Sequence, residues 1–174
     1  MERSEEPPLR LFGVLRVLGA YHVEYILIGG FSLAFHGYSR GTDDVDVVPD
    51  PAPENLARLW RALSDLEARP RGLDDFRPEE LPPFDLQSLL DRGSWFLSTR
   101  LGHLDVIQTL QGVPLGDEPW PLLRPGAVEV ELEEVGRPFL VAGRDDLIML
   151  KRAAGRPLDL ADIAALRLAE GRDE

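Results

Sequence analysis

Asp44-Val45-Asp46 is the part of this sequence best suited to chemistry. It lies in a run, Gly41 to Pro49, whose Val45, Val47 and Val48 predict a strand that Pro49 ends. Side chains at i and i+2 share one face of a strand, so both carboxylates point the same way. Each disfavours ionisation of the other, and a bound divalent cation removes that penalty. Magnesium suits such oxygen donors and usually retains water and substrate phosphate. An exposed acidic turn leading into a strand accounts for the same residues, and Asp43 fits that description on its own.

Three neighbours add weight to the chemical reading. Gly29-Gly30 follows the short apolar run Tyr25-Ile26-Leu27-Ile28, a predicted buried strand, and opens a helix over Phe31 to His36 with Leu33 and Ala34 inward and Gly37 as its stop. Glycines let a backbone approach a ligand closely, and a helix start presents unpaired N–H groups to an anion. Ser32 could add a hydroxyl hydrogen bond in the same turn, or act as an ordinary cap. Arg40-Gly41-Thr42 precedes the acidic strand, where Arg40 could hold phosphate or pair with a carboxylate. Asp105 interrupts the apolar Leu104-Asp105-Val106-Ile107 and needs a reason to be there: a solvated strand face or a third metal carboxylate. His103 reads as a surface or packing histidine, and no Walker-type GxxxxGK is present.

The elements that must position these residues follow from periodicity. Pro7 and Pro8 sit where a first helix can begin, and Leu11, Val14, Leu15 and Leu18 give it one apolar face. Leu56, Leu59, Trp60, Leu63 and Leu66 predict an amphipathic helix over Pro51 to Glu67. Residues 70–83 read as loop, Phe84 to Leu90 as a short helix, and Trp95 to Ser98 and Leu104 to Gln108 as strands joined at Gly102. Gly112 to Gly126, with four prolines, reads as an irregular excursion. Val128, Val130 and Leu132 alternate with glutamates as a half-exposed strand, and Pro138 to Ala142 is another strand. Arg144 to Ala154 and Leu158 to Ala169 are the last helices, the second with Leu160, Ile163, Leu166 and Leu168 on its apolar face. This order predicts an α/β (α+β) core with a short helical C-terminal section.

Composition narrows the function. The chain has 174 residues, 44% of them hydrophobic and 29% charged, which suits one globular domain. A net charge of -12 excludes broad, non-specific DNA binding, though not a local basic pocket. There is no cysteine, hence no disulfide, thiolate metal site or cysteine nucleophile. No apolar run approaches a membrane span and the charged N-terminus is no signal peptide, so a cytoplasmic location is expected. Lys151 is the single lysine beside 18 arginines.

Ile28-Gly29-Gly30-Phe31-Ser32, Asp44-Val45-Asp46 and Leu104-Asp105-Val106 together resemble the nucleotidyltransferase superfamily of DNA polymerase β type. Within it, residues 36–46 and 147–163 are similar to small bacterial proteins related to the abortive-infection AbiEii toxins and to minimal nucleotidyltransferases. The resemblance implies one nucleotidyltransferase-like domain over residues 1–174, with a core at about 7–142 and C-terminal helices at 143–170. It implies a mixed sheet flanked by helices. Gly29, Gly30 and Ser32 would form the turn that holds nucleotide phosphates; Asp44, Asp46 and Asp105 would bind Mg2+, or Mn2+ in its place; and Asp105 would help activate an acceptor hydroxyl. Arg40 and Thr42 match residues found before the acidic pair, and Lys151 matches a helix lysine facing the site, the two cations offsetting phosphate charge. Asp159 and Asp162 fall in the accompanying pattern, or cap and orient the last helix.

The implied reaction moves a nucleoside monophosphate from a nucleoside triphosphate such as ATP to a hydroxyl of a protein, a tRNA end or a small molecule. The implied partners are that triphosphate, the acceptor and an antitoxin or regulator protein, and no membrane. Two other functions fit the same residues: a nucleotide-binding regulatory protein that has lost turnover, and a protein-interaction module in which the acidic cluster is structural. Loops 70–83 and 112–126 are the natural places for acceptor specificity.

Overall fold

The computed structural model describes residues 9–110 and 118–171, with side chains described from Leu11 onward. Pro7, Pro8 and residues 112–117 of the proline-rich excursion lie outside the described residues.

Among the described residues seven strands form one mixed sheet: β1 (Tyr25–Ile28), β2 (Asp44–Pro49), β3 (Arg69–Pro70), β4 (Trp95–Thr99), β5 (Gly102–Val106), β6 (Val128–Val130) and β7 (Phe139–Val141). Their order across the sheet is β3-β4-β5-β2-β1-β7-β6. β2 pairs parallel with β5 and antiparallel with β1, while β1 pairs parallel with β7. β1 is apolar along its whole length because both of its faces are covered.

One face buries Leu27, Val45, Val47, Leu97, Leu104 and Val106 against α1 (Leu9–Ala20) and α3 (Pro53–Asp65). In α1, Val14, Leu15 and Leu18 are fully buried, as their spacing predicts. α3 starts at Pro53, where a missing N–H costs nothing, with Glu54 favourably placed in its first turn. Buried Asn55 ties α3 to the start of β1: it accepts from Glu24 N at 2.7 Å and donates to Glu24 O and Asp50 O at 2.9 and 2.8 Å.

The other face divides in two. Ile26, Ile28, Val48 and Leu140 are covered by Leu123, Leu147 and Leu166 from α5 (Pro119–Leu123), α6 (Arg144–Ala154) and α7 (Pro157–Glu170). Beyond them, over β2, β5 and β4, the sheet carries polar side chains and lies open.

Four local expectations are corrected. The helical turn after β1 starts at Gly29 itself, as α2 (Gly29–Ser32) running into a 3-10 turn (Leu33–His36), and Ala34 is exposed while Leu33 is buried. Residues 119–126 are helical rather than irregular, because Pro119 and Pro125 occupy first-turn positions that a helix tolerates. The glutamate-rich strand is limited to Val128–Val130 at the sheet edge. In α7 the inward stripe is Asp159, Asp162, Ile163 and Leu166, and Leu160 and Leu168 face solvent. Among the described residues no helix is long and apolar enough to cross a membrane.

Candidate active site

The strand register brings the three aspartates to one face. Asp46 is the direct partner of Asp105 across the parallel β2–β5 pair, and Asp44 is the partner of His103. The flanking Val45, Val47, Leu104 and Val106 point into the α1–α3 core, so the alternation of each strand sends Asp44, Asp46 and Asp105 to the opposite side. Ile28 pairs with Asp46 and Phe96 with Asp105, so a row Phe96–Asp105–Asp46–Ile28 crosses four strands.

That row floors a cavity of about 630 Å³. Gly29, Gly30, Arg40, Thr42, Asp44, Asp46, Asp105, Lys151 and Arg156 also line it, with an apolar wall that includes Ile107, Leu110, Leu150 and Leu158.

The glycine turn presses on the carboxylates. Gly29 has φ +73°, a conformation glycine adopts at no steric cost, and a Cβ there would collide with Asp46 Oδ2 and stand 2.8 Å from its Cγ. At Gly30 a Cβ would meet Arg40 Nη2 and Thr42 Oγ1, both at 3.1 Å. Ser32 is fully buried and donates to Gly29 O at 2.5 Å; its hydroxyl braces the turn and does not line the cavity. Thr42 donates to Asp44 O at 3.3 Å, at the mouth of β2.

Opposite the carboxylates stands a basic network. Asp162, with no exposed surface, accepts from Arg40 Nε at 2.9 Å and Nη2 at 3.0 Å and lies 2.8 Å from Lys151 Nζ. Asp159 is 3.6 Å from Lys151 and pairs with Arg156 Nε at 2.7 Å; it also accepts from Arg156 N and so caps α7. Burial pushes the Asp159 carboxyl up, but the hydrogen bonds and charge of Arg156, with Lys151, outweigh it and hold the group below its ordinary range. Three cations against two carboxylates leave one surplus positive charge at this end of the cavity.

At the acidic end the balance is reversed. Burial first, then the charges of Asp105 and Asp44, push Asp46 up to about 7, with Lys151 pulling the other way. Burial raises Asp105 as well, against the opposing pull of Arg71. Two contacts here were not anticipated. Arg71 Nη2 lies 2.7 Å from Asp105 Oδ1 and 3.7 Å from Asp44 Oδ2, and His103 Nδ1 lies 3.1 Å from Asp44 Oδ1. His103 had a findable signal, since its i+2 spacing puts it on the Asp105 face. Arg71, alone in a loop, had none.

Among the described residues no three His, Asp or Glu side chains are drawn together as a ready-made metal centre. Asp44 and Asp105 are instead turned towards Arg71 and His103. The donor chemistry nevertheless suits a hard divalent cation: carboxylate oxygens on adjacent strands of one face, with a charge conflict that a cation relieves.

No protein-family model and no curated protein matches the chain. Solved structures do. The chain is similar to the antibiotic-resistance factor ANT(2'')-Ia, with a TM-score of 0.55 and 19% identity over 95% of this chain and 84% of that one. It is similar to ANT(2'')-Ia in complex with adenylyl-2''-tobramycin, with a TM-score of 0.55 and 18% identity over 95% and 89%. It is also similar to the lincomycin-bound lincosamide antibiotic adenylyltransferase LnuA, with a TM-score of 0.58 and 15% identity over 92% and 96%. At these identities the likeness shows a shared fold: the α/β arrangement of a mixed sheet flanked by helices, with a helical C-terminal region, found in these nucleotidyltransferases.

Proposed function

We propose that the chain is a divalent-metal-dependent nucleotidyltransferase that moves a nucleoside monophosphate from a triphosphate to an acceptor hydroxyl. The observation that carries this reading is the register of β2 on β5, which sets Asp46 against Asp105 with Asp44 on the same face, beside the Gly29 turn and across a cavity from Lys151 and Arg40.

On this reading Asp44, Asp46 and Asp105 hold Mg2+ or Mn2+. Such an ion, when bound, neutralises phosphate charge and lowers the pKa of a coordinated hydroxyl. The backbone at Gly29 and Gly30 admits the triphosphate close to the sheet. Lys151 and Arg40, held in place by Asp162, face the phosphates with their surplus positive charge and stabilise the charge that builds on the leaving group. Asp105 takes the acceptor's proton. The acceptor oxygen forms a bond to the α-phosphorus as the bond from that phosphorus to the bridging oxygen breaks, and pyrophosphate leaves with the electron pair.

The structural neighbours carry adenylyl transfer to antibiotics in their names, and we extend to this chain ATP as donor and a small hydroxylated molecule as the acceptor to test first. The similarity to AbiEii-type toxins adds a protein or tRNA acceptor, and a regulator or antitoxin partner, to the same proposal. The test is calorimetry with each nucleoside triphosphate and Mg2+, followed by transfer of α-labelled nucleotide to acceptor panels. Magnesium-dependent binding and transfer that Asp46→Asn abolishes are expected. Binding without transfer to any acceptor favours a nucleotide-binding regulatory protein, and no binding favours an interaction module.

A further inference from the structure

Three arginines reach carboxylates around this cavity, and two of them, Arg40 and Arg71, are held very differently. Arg40 makes two near-parallel bonds to Asp162 and a third to Gly41 O at 3.1 Å. That fork uses the guanidinium fully, as a permanent tie would. Arg71 makes one short bond, to Asp105 Oδ1 at 2.7 Å, and a longer approach to Asp44 Oδ2 at 3.7 Å. Its Nε is buried without a hydrogen-bond partner among the described residues, and its side chain keeps 31% of its surface exposed. A buried donor left unpaired costs about 1–3 kcal/mol. The contact is therefore half-satisfied, and solvent is within reach.

The position of the guanidinium is as informative as its bonding. It lies over the Phe96 ring, 5.9 Å from the centroid, and Phe96 is the cross-strand partner of Asp105. Arg71 N donates to Phe96 O at 2.9 Å, the last backbone bond before the exposed segment 72–83 leaves the sheet edge. The side chain thus spans from the segment's root to the two carboxylates. A divalent ion that bridges Asp44 and Asp105 through the oxygens Arg71 faces, at about 2.0–2.1 Å for magnesium, takes the place of the guanidinium there. Elsewhere on the pair the like charges of the two still repel.

We propose that Arg71 is a resident cation of the carboxylate cluster which a divalent ion displaces, so that metal loading frees the side chain that ties the root of the 72–83 segment to the carboxylates. This rests on the metal-binding reading of Asp44, Asp46 and Asp105. While Arg71 is seated, only the fraction of molecules with it displaced binds the ion, and apparent affinity falls by that fraction. Once displaced, the same guanidinium is free to meet an incoming anion at the mouth of the cavity.

The test uses the full chain and Mn2+ alone, with no nucleotide. Affinity is measured by calorimetry and by the paramagnetic resonance signal of free Mn2+, for the wild type, Arg71→Gln, Arg71→Lys and Asp46→Asn. We expect Arg71→Gln to bind Mn2+ about tenfold tighter, as it would if the seated form predominates by that ratio, and Arg71→Lys to fall between. Unchanged or weaker binding by Arg71→Gln, with wild-type binding intact and lost in Asp46→Asn, overturns the displacement idea and leaves the carboxylate site standing. Absence of Mn2+ binding in both wild type and Arg71→Gln overturns the metal reading and the displacement with it. Hydrogen exchange on the wild type needs no variant to fold: Mn2+ should accelerate exchange of the Arg71 amide and its neighbours, and protection or no change there counts against the proposal.

Discussion

Asp46 and Asp105 are direct partners across a parallel strand pair, two acids side by side on one face of the sheet. Proximity of like acids in a buried place holds Asp46 up to about 7, well above an unfolded aspartate near 4. The sign of the pH dependence follows. Between those values the folded chain binds more protons than the unfolded one, so this group's contribution to stability declines as pH rises from about 4 to about 7, and the penalty is full above that. Asp46→Asn keeps the shape of the side chain and removes the titration. Its melting temperature, measured without added divalent ion, should match the wild type near pH 4 and exceed it at pH 8, at about 2–4 °C per kcal/mol of relief. Equal melting temperatures at both pH values would show that the pair is solvated.

Asp162 should be costly to remove, because it is fully buried. Asp162→Ala leaves Arg40 and buried Lys151 without their shared anion, and breaking a buried pair in this way costs about 3–5 kcal/mol. Urea denaturation should show that loss, and a second substitution, Lys151→Met, should recover part of it by removing the stranded charge.

At the glycine turn the two positions should separate fold from binding. Gly29→Ala forces a side chain into a left-handed conformation, at about 1–2 kcal/mol, and drives it into Asp46. Both stability and nucleotide binding should fall. Gly30→Ala has an ordinary φ and crowds only Arg40 and Thr42, so it should fold nearly normally and lose nucleotide affinity. Thermal melts paired with nucleotide titrations test the split.

Ser32→Ala should do the reverse. Its hydroxyl is committed to Gly29 O inside the turn, so the variant should lose about 0.5–1.5 kcal/mol of stability while nucleotide affinity stays within about twofold. A large loss of affinity with little loss of stability would place that hydroxyl on the phosphate after all.

What could be read in advance followed from alternation and from charge out of place. The i, i+2 spacing of Asp44 and Asp46 fixed their common face, and a lone acid in an apolar strand marked Asp105. The strand register that joins them is tertiary and had no local signal. α7 shows the limit most clearly. Its leucines suggested one inward face, but the inward stripe takes in Asp159 and Asp162 because cations from other elements, buried Lys151 and half-buried Arg40, require anions opposite them. A helical period built on apolar residues cannot register that demand. Arg71 escaped for a related reason: nothing about an arginine in an acidic, proline-rich loop distinguishes it from a solvated neighbour until the sheet is assembled.

The Arg40–Asp162 fork joins residues 122 positions apart. Translation delivers the Gly29 turn and the acidic strand well before the anchoring aspartate. A nascent chain that has not yet reached α7 has its acids but lacks the anions that seat Arg40 and Lys151. On the proposed function, truncation ahead of α7 would therefore leave the acids without the cationic wall meant to face the phosphates.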